Sequence, residues 1–222
     1  MPSTTEAGAA REHVAAAARR LAAQGLVLGT AGNVSERIDE DHVAISPTGA
    51  VLQELTASQV AVIDLDGEPV ESGLEPTSEV GLHLGIYRRY HAGAVVHTHS
   101  AMATALSCVI DEVPVVHYHM LSLGGSIRVA PYATFGTPQL AEATLEALAD
   151  RTGALMANHG AIVYAADAPA AVESALLLEW ACGVFWHARA VGRPRVLNAE
   201  QQQAVVSAVL ERGYGEVRET SR

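Results

Sequence analysis

The chain has 222 residues, of which 49% are hydrophobic, and carries a formal net charge of −11. This length and composition predict one domain over residues 1–222 with a sizeable core, and the acidic balance argues against nucleic-acid binding, which normally requires a basic surface. No signal-like segment opens the chain and the longest apolar stretch, 168–191, is broken by Glu173, Glu179 and His187, so a cytoplasmic protein without membrane contact is expected.

Hydrophobic periodicity, turn residues and helix caps predict a mixture of helices and strands. In the first half of the chain the order is helix 11–25, strands 34–38, 43–46 and 60–65, helix 76–90 and strand 94–99. In the second half it is helix 100–108, strands 113–118 and 127–131, helix 137–150, strands 154–157 and 161–165, and helices 168–191 and 199–212. Because the order is not a strict βαβ alternation, we expect an α/β three-layer sandwich, with helices on both faces of a mostly antiparallel sheet.

A pair of histidines ends one of the predicted strands. The apolar residues 94–96 lead directly into His97, Thr98 and His99. Side chains two residues apart on a strand point to the same face, so the two imidazoles are expected to lie side by side. Such a pair is half of a transition-metal site; the alternative interpretation is a strand end with two exposed histidines.

A zinc site needs at least one further ligand, and His159 is the best candidate. It follows the apolar strand around 154–156, and Gly160 after it permits a close backbone approach. An ordinary Asn-His-Gly turn is the alternative. His117 and His119 form a second pair with the same spacing as the first, and spacing alone does not rank one pair above the other.

Three segments combine glycine or a helix start with small hydroxyl and amide side chains, at 29–33, 46–49 and 76–79. Backbone N–H groups in such loops and at helix N-termini, together with hydroxyl groups, can hold a phosphate without lysine. Each segment alone is typical of a turn or a helix cap. The three together indicate a phosphate-binding site.

The carboxylate Glu79 is predicted in the first turn of helix 76–90. There it stabilises the helix through the macrodipole or, beside a metal, acts as a ligand or general base. All fourteen Lys and Arg positions are Arg, so the chain cannot form a lysine Schiff base. Carbonyl chemistry here must therefore stabilise negative charge by another means, and a metal is the obvious one.

In this order the motifs resemble the class II aldolase/adducin family over nearly the whole chain. The matching stretches are Gly-Thr-Ala-Gly-Asn-Val-Ser at 29–35, Ser-Pro-Thr-Gly at 46–49, Thr-Ser-Glu at 77–79, Val-Val-His-Thr-His at 95–99, His-Tyr at 117–118, Ala-Pro-Tyr-Ala-Thr-Phe-Gly-Thr at 130–137, His-Gly at 159–160 and Gly-Tyr-Gly at 213–215. Stretch 130–137 is most similar to the branch that cleaves fuculose 1-phosphate.

The resemblance implies one divalent metal per subunit, zinc with manganese or cobalt as alternatives. The implied ligands are His97, His99, His159 and, in the resting enzyme, Glu79. It also implies a sugar-phosphate substrate whose phosphate group is bound by Thr30, Gly32, Asn33, Thr48, Gly49, Thr77 and Ser78.

The resemblance further implies a homotetramer with active sites between subunits. Glu79, released when substrate binds, would move the proton on and off C3 of dihydroxyacetone phosphate. Tyr118 and Tyr214 would come from the neighbouring chain and act on the aldehyde oxygen, and Phe135 would shape the aldehyde pocket. The pair His117 and His119 is then assigned to packing and the interface.

The implied reaction is reversible cleavage of a ketose 1-phosphate, similar to L-fuculose 1-phosphate, into dihydroxyacetone phosphate and an aldehyde such as L-lactaldehyde. Other members with metal and phosphate sites are alternatives: a pentulose-phosphate 4-epimerase, a methylthioribulose-1-phosphate dehydratase or a sugar-acid phosphate decarboxylase. A non-catalytic adducin-like scaffold would have lost the ligands that this chain retains. The departures from the family pattern, Thr77, Asn158 and His119, concern the choice of aldehyde.

Overall fold

The computed structural model describes residues 2–212, so Tyr214 lies outside the described residues. Within them the chain forms an eight-stranded sheet in the order β3-β2-β1-β4-β8-β7-β6-β5. Its strands are β1 (Asn33–Arg37), β2 (His42–Ile45), β3 (Ala61–Asp64), β4 (Ala94–Thr98), β5 (Glu112–Val113), β6 (Ile127–Ala130), β7 (Gly153–Met156) and β8 (Gly160–Ala165). Neighbouring strands are antiparallel except β6 and β7, which are parallel. The predicted, mostly antiparallel sheet is confirmed.

Helices cover both faces of this sheet. They are α1 (Thr4–Ala23), α2 (Val80–Arg89), α3 (Ala101–Ser107), α4 (Pro138–Ala147), α5 (Ala168–Val191) and α6 (Ala199–Arg212). On one face α5 contacts α1, α3 and the central strands, whereas on the other α2 contacts α4, which packs on β6 and β7. Helix α6 contacts the 3-10 helix Tyr118–Leu123. The predicted three-layer α/β/α arrangement is therefore confirmed.

Two hydrophobic cores, one on each face of the sheet, follow from strand alternation. Val96 belongs to the core beneath α1, α3 and α5, and its neighbour Val95 belongs to the core beneath α2 and α4. Because successive strand residues point to opposite faces, His97 and His99 continue the face of Val95. The histidine pair thus leaves the sheet on the side that carries α2.

Two predicted elements differ from the structure. The helix predicted from residue 76 begins at Val80, because residues 75–77 pair in extended form with the loop 46–48: Thr48 N–H donates to the Glu75 carbonyl (3.0 Å) and Thr77 N–H to that of Ser46 (3.1 Å). The strand predicted over 113–118 shortens to β5, since Pro114 cannot donate to the ladder. Residues 118–123 turn into a 3-10 helix instead.

Among the described residues, one helix, α5, is long and apolar enough to cross a membrane by length and composition alone. It packs along β4 and β8 and against α1 and α3. Its inward side chains, such as Val172, Leu178 and Cys182, are at most 1% exposed. The contacts of α5 are therefore those of a core helix, as the sequence predicts.

Candidate active site

The two histidines of β4 meet at their Nε2 atoms, which lie 2.9 Å apart. His97 is fully buried, and its Nδ1–H donates to the carbonyl of Ala161 on the neighbouring strand β8, at 2.9 Å. That hydrogen bond fixes the ring so that its Nε2 lone pair points away from the sheet ladder. A backbone carbonyl on the far ring nitrogen is a common way to orient a metal-binding histidine.

His159 reaches the pair from the hairpin that joins β7 to β8. Met156 and Gly160 pair across the hairpin, and Asn158 adopts a left-handed conformation at φ 56°, which asparagine tolerates better than most residues. A Cβ atom at Gly160 would lie 2.2 Å from the Thr98 carbonyl oxygen. Glycine at 160 is therefore required for the hairpin to approach β4, as the sequence suggests, and the ligand atoms of the three histidines lie within 4.8 Å of one another.

Glu79 completes the cluster from the opposite layer. It is the N-cap residue of α2, not a residue of its first turn, and its side chain makes no capping hydrogen bond. Its Oε2 lies 3.2 Å from His97 Nε2 and its Oε1 lies 3.4 Å from His159 Nε2. Asn33 Nδ2 donates to Oε2 at 2.9 Å. The late start of α2 thus turns this carboxylate toward the histidines.

The environment favours a charged Glu79 and opposes protonation of His99 and His159. Burial opposes ionisation of Glu79, but the His97 ring and the Asn33 amide outweigh it, and the pKa of the carboxyl lies well below its usual range. Burial, followed by the neighbouring His97 and His159 rings, lowers the pKa of His99 to about 4. Burial and then His97 also lower the pKa of His159. Neutral imidazole and ionised carboxylate are the forms that bind metals.

The donor set fits a divalent cation. Tetrahedral zinc, with bonds of about 2.0–2.1 Å, spaces its donor atoms roughly 3.3 Å apart. The separations of 2.9 Å between His97 and His99 and of 3.2 and 3.4 Å to the Glu79 oxygens lie around this value. The buried Oε1 of Glu79 accepts no hydrogen bond from the residues that the structure describes. A cation would satisfy that oxygen, and His97, His99, His159 and Glu79 are the residues that could hold it.

The second histidine pair lies elsewhere. The rings of His117 and His119 meet edge-on at a centroid distance of 5.1 Å, and His117 also meets Trp180 of α5 edge-on at 4.7 Å. The His119 ring is tilted relative to Trp180, at 6.4 Å. Among residues 2–212, His97, His99 and His159 form the one cluster of three or more side chains that could bind a metal ion, and neither His117 nor His119 belongs to it. The structure therefore separates two pairs that the sequence pattern could not distinguish.

The three small-residue segments meet around one cavity of about 400 Å³ beside the histidines. The extended pairing of 75–77 with 46–48 brings two of them together. The third segment, 29–33, approaches β4 closely at Gly32, which has φ +86°. A Cβ atom at this position would lie 2.8 Å from the His97 carbonyl oxygen, so only glycine allows the approach. All eight residues predicted to bind the substrate and its phosphate line the cavity, namely Thr30, Gly32, Asn33, Thr48, Gly49, Thr77, Ser78 and Phe135.

The cavity offers hydroxyl, amide and backbone groups to an anion and no basic side chain of lysine or arginine type among its described lining residues. Its deepest members are Asn33 and Thr77, which are 4% and 6% exposed and joined by a hydrogen bond of 3.1 Å from Nδ2 to Oγ1. Thr30, Thr48 and Ser78 lie at the exposed mouth. Neutral donors in loops can bind a phosphate dianion without compensating cations.

The structure does not bring Tyr118 to this cavity within one chain. Tyr118 begins the 3-10 helix 118–123 and lines a separate groove against Val206 and Val209 of α6. Tyr214 lies outside the described residues. The expectation that a neighbouring subunit supplies both stays a prediction.

Tyr132 and His83 were not predicted as site residues, and Asn158 was connected only with the choice of aldehyde. Tyr132 and Asn158 line the cavity, and His83 hydrogen-bonds through Nε2 to Asn33 Oδ1 at 2.5 Å. The signal for His83 is present in the sequence: residues 79, 83 and 87 recur every fourth position and share one face of α2. Three polar side chains on an otherwise apolar face indicate a buried hydrogen-bond network.

Comparison with known proteins places this geometry in a family. The Class II Aldolase and Adducin N-terminal domain family matches residues 12–186. A 5-deoxy-D-ribulose 1-phosphate aldolase of Bacillus thuringiensis is 36% identical over 208 residues, covering 93% of this chain and 97% of that protein. An L-fuculose phosphate aldolase of Escherichia coli is 39% identical over 184 residues, covering 82% and 85%.

A solved structure of an L-fuculose 1-phosphate aldolase superposes with a TM-score of 0.87 at 30% identity, covering 95% of this chain and 98% of that one. The family match extends from α1 through most of α5 and includes the four candidate ligands. The chain therefore belongs to the class II aldolase/adducin family and has the fold of its aldolases.

Proposed function

We propose that this protein is a metal-dependent aldolase that reversibly cleaves a ketose 1-phosphate into dihydroxyacetone phosphate and a short aldehyde. One observation carries the proposal: three histidines and a carboxylate converge at the wall of a cavity lined by small hydroxyl and amide residues. In a ketose 1-phosphate, the carbonyl and hydroxyl oxygens that react lie a short distance from the phosphate group. A cation site for these oxygens beside an anion site for the phosphate matches that substrate.

Binding would orient the substrate between these two groups. The phosphate fits the mouth formed by the loops 29–33 and 46–49 and by residues 77–78, with backbone N–H groups and hydroxyls as donors. A divalent ion, zinc or alternatively manganese or cobalt, would supply Lewis-acid stabilisation of negative charge that develops on the ketose oxygens when the C3–C4 bond breaks. His97, His99 and His159 would hold it.

We assign to Glu79 the role of the base that moves the proton on and off C3 of dihydroxyacetone phosphate. Its Oε2 accepts from Asn33, whereas its Oε1 accepts no hydrogen bond from the described residues and faces the histidine cluster. The carboxylate can therefore take a proton on Oε1 while Asn33 keeps the other oxygen in place. A general base must lie within hydrogen-bond reach of the proton that it takes, and the hydrogen bond from Asn33 helps to hold the carboxylate in place.

The aldehyde half of the substrate would lie against Phe135, Tyr132 and Ala133, on the apolar side of the cavity. L-Fuculose 1-phosphate, which would release L-lactaldehyde, and 5-deoxy-D-ribulose 1-phosphate are the substrates to try first, because aldolases named for these compounds are 39% and 36% identical to this chain. The two share the dihydroxyacetone phosphate half and differ in the aldehyde.

We further propose a homotetramer whose active sites lie between subunits. Tyr118 lies outside the cavity of its own chain, and both it and Tyr214 match positions that the family resemblance assigns to a neighbouring subunit. Mixing Tyr118→Phe with His159→Ala subunits tests this. Reconstituted activity above that of either variant alone is expected, because some mixed sites carry both native groups, and mixtures no more active than the variants would contradict shared sites.

The aldolase proposal is tested by incubating metal-loaded protein with each ketose 1-phosphate and following dihydroxyacetone phosphate through coupled NADH oxidation. We expect dihydroxyacetone phosphate to be released by the metal-loaded protein and not after chelation or in His159→Ala.

Three other outcomes would indicate other activities. Inversion at C4 of a pentulose phosphate without release would indicate an epimerase, and loss of water from methylthioribulose 1-phosphate would indicate a dehydratase. Formation of carbon dioxide from a sugar-acid phosphate would indicate a decarboxylase. Any of these in place of release would overturn the proposal.

A further inference from the structure

A buried chain of hydrogen bonds runs from the interior of the protein to Glu79. Tyr87 OH and Ser35 Oγ lie 2.8 Å apart, and Ser35 Oγ lies 2.7 Å from His83 Nδ1. His83 Nε2 lies 2.5 Å from Asn33 Oδ1, and Asn33 Nδ2 lies 2.9 Å from Glu79 Oε2. Each of these five residues is at most 7% exposed.

The chain arises from matched spacing on two elements. Asn33 and Ser35 are two residues apart on β1, which separates them by about 6.6 Å on one face. His83 and Tyr87 are one helical turn apart on α2, about 6 Å. Strand and helix therefore present two polar groups each at nearly the same interval, and the four side chains interleave in the layer between β1 and α2.

The donor and acceptor of each hydrogen bond in this series can be assigned by starting at Glu79, which as a carboxylate can only accept. Asn33 Nδ2 donates to the Glu79 carboxylate and to Thr77 Oγ1, so Asn33 Oδ1 is an acceptor. His83 Nε2 must then carry the hydrogen. A neutral His83 is left with an acceptor at Nδ1, which takes the Ser35 hydroxyl hydrogen, and Ser35 in turn accepts from Tyr87.

We propose that His83 is a positioning residue, and that its neutral Nε2–H tautomer holds the Asn33 amide with its NH2 group toward Glu79. The inference rests on the proposed function, in which Glu79 moves the proton at C3. An Asn33 side chain turned by 180° would direct its carbonyl oxygen at the carboxylate. Two acceptors would then face each other in a buried site, which is strongly unfavourable.

Two variants of equal polarity separate positioning from packing. In His83→Gln the side-chain NH2 occupies a place close to that of Nε2 and reaches Asn33. In His83→Asn the amide is one carbon shorter and ends near the Nδ1 position. We expect His83→Asn to lose about tenfold to hundredfold in kcat, the range typical when a hydrogen-bond partner around a metal site is lost, and His83→Gln to keep most of it. Equal losses in both variants, or none in His83→Asn, would overturn the proposal.

Tyr90→Phe is the control for the loss of a partly buried, hydrogen-bonded polar group at the end of α2. The Tyr90 hydroxyl donates to the Leu145 carbonyl at 2.7 Å and does not belong to the chain of hydrogen bonds from Tyr87 to Glu79. Its loss is expected to lower the unfolding temperature but leave kcat unchanged. If kcat followed the unfolding temperature across Tyr90→Phe, His83→Asn and His83→Gln alike, His83 would have only a structural role.

The tautomer can be observed without any turnover. Nitrogen-15 spectra of histidine-labelled protein, with the His83 signals identified by their loss in His83→Gln, are expected to show a protonated Nε2 and an unprotonated Nδ1. A protonated Nδ1 would overturn the proposal whatever the kinetics show. Wild-type protein that released no dihydroxyacetone phosphate would instead contradict the proposed function, and the spectrum would still decide how His83 orients Asn33.

Discussion

Asn33 and His97 lie directly opposite each other on the antiparallel strands β1 and β4. Directly opposite residues share one face of a sheet, so the amide that holds Glu79 and the imidazole nearest that carboxylate leave the sheet side by side. Both point toward α2, whose N-cap is Glu79. The site is thus a junction between two central strands and the start of one helix, which places its polar groups on rigid elements.

Replacing Glu79 by Gln tests the assignment of the base. The amide keeps the size of the side chain and can still accept from Asn33, but it cannot take up a proton. We expect proton exchange at C3 of dihydroxyacetone phosphate, measured by deuterium incorporation, to fall by about 10²- to 10⁴-fold. Binding of dihydroxyacetone phosphate, followed by calorimetry, should persist. Exchange at the wild-type rate would exclude Glu79 as the base.

Replacing His159 by Ala tests the proposed ligand set. The variant loses the donor that the β7–β8 hairpin contributes, and a three-donor remainder binds divalent ions more weakly. We expect elemental analysis after dialysis to show a large loss of bound metal. His187→Ala is the control, because that exposed ring hydrogen-bonds to the Gly183 carbonyl on its own helix and meets the Trp186 ring edge-on. Wild-type occupancy in His159→Ala would refute the site.

The first two ligands could be predicted because strand alternation is local. His97 and His99 need only a strand through residue 98 to face the same way, and β4 provides it. The identical spacing of His117 and His119 could not be excluded in advance. Pro114, and the 3-10 helix after it, prevent the second pair from ending a strand, but their effect depends on packing against α5 and α6.

The contributions of Glu79 and His83 were harder to predict because tertiary pairing decides where α2 begins. Pro76 is a reasonable first residue for a helix, yet its neighbours pair with loop 46–48 and remain extended. That pairing moves Glu79 from the first turn to the N-cap. It also aligns His83 with Asn33 across the layer, which no local pattern specifies.

Gly160→Ala probes the close approach of the hairpin to β4. The added Cβ would lie 2.2 Å from the Thr98 carbonyl oxygen, so the hairpin must move and carry His159 with it. We expect a loss of about 1–3 kcal/mol in the free energy of unfolding, as for other overpacked positions, together with weaker metal binding. Denaturant unfolding and metal titration measure the two effects.

Gly8→Ala is the matched control for that substitution. Gly8 lies inside α1 with no atom within 4 Å of a built Cβ, and alanine there should raise the free energy of unfolding by about 0.5–1 kcal/mol through helix propensity. Its metal affinity should not change. If Gly160→Ala matched Gly8→Ala in both its free energy of unfolding and its metal affinity, the close approach of the hairpin to Thr98 would not be required for stability or for metal binding.

The stability of the metal-free protein should decrease in acid, and His83 should account for part of the decrease. Burial, and next the nearby His97, lowers the pKa of His83 to about 3 from an ordinary 6.5. Between these values the unfolded chain binds a proton at this residue and the native protein does not, so the free energy of unfolding falls as the pH is lowered. The slope for one such proton is at most about 1.4 kcal/mol per pH unit. Glu79, whose pKa is also depressed, contributes in the same direction at lower pH.

His83→Gln removes the His83 contribution and leaves those of Glu79, His99 and His159, whose pKa values are also lowered, in place. Denaturant unfolding of chelator-treated protein between pH 7 and pH 4 should therefore give a shallower loss of stability in His83→Gln than in the wild type, by up to about 1.4 kcal/mol per pH unit. Tyr90→Phe, which keeps His83, should have the wild-type slope. Parallel slopes in the wild type and His83→Gln would mean that His83 already binds a proton in the native state, which contradicts a neutral ring that accepts from Ser35 and donates to Asn33.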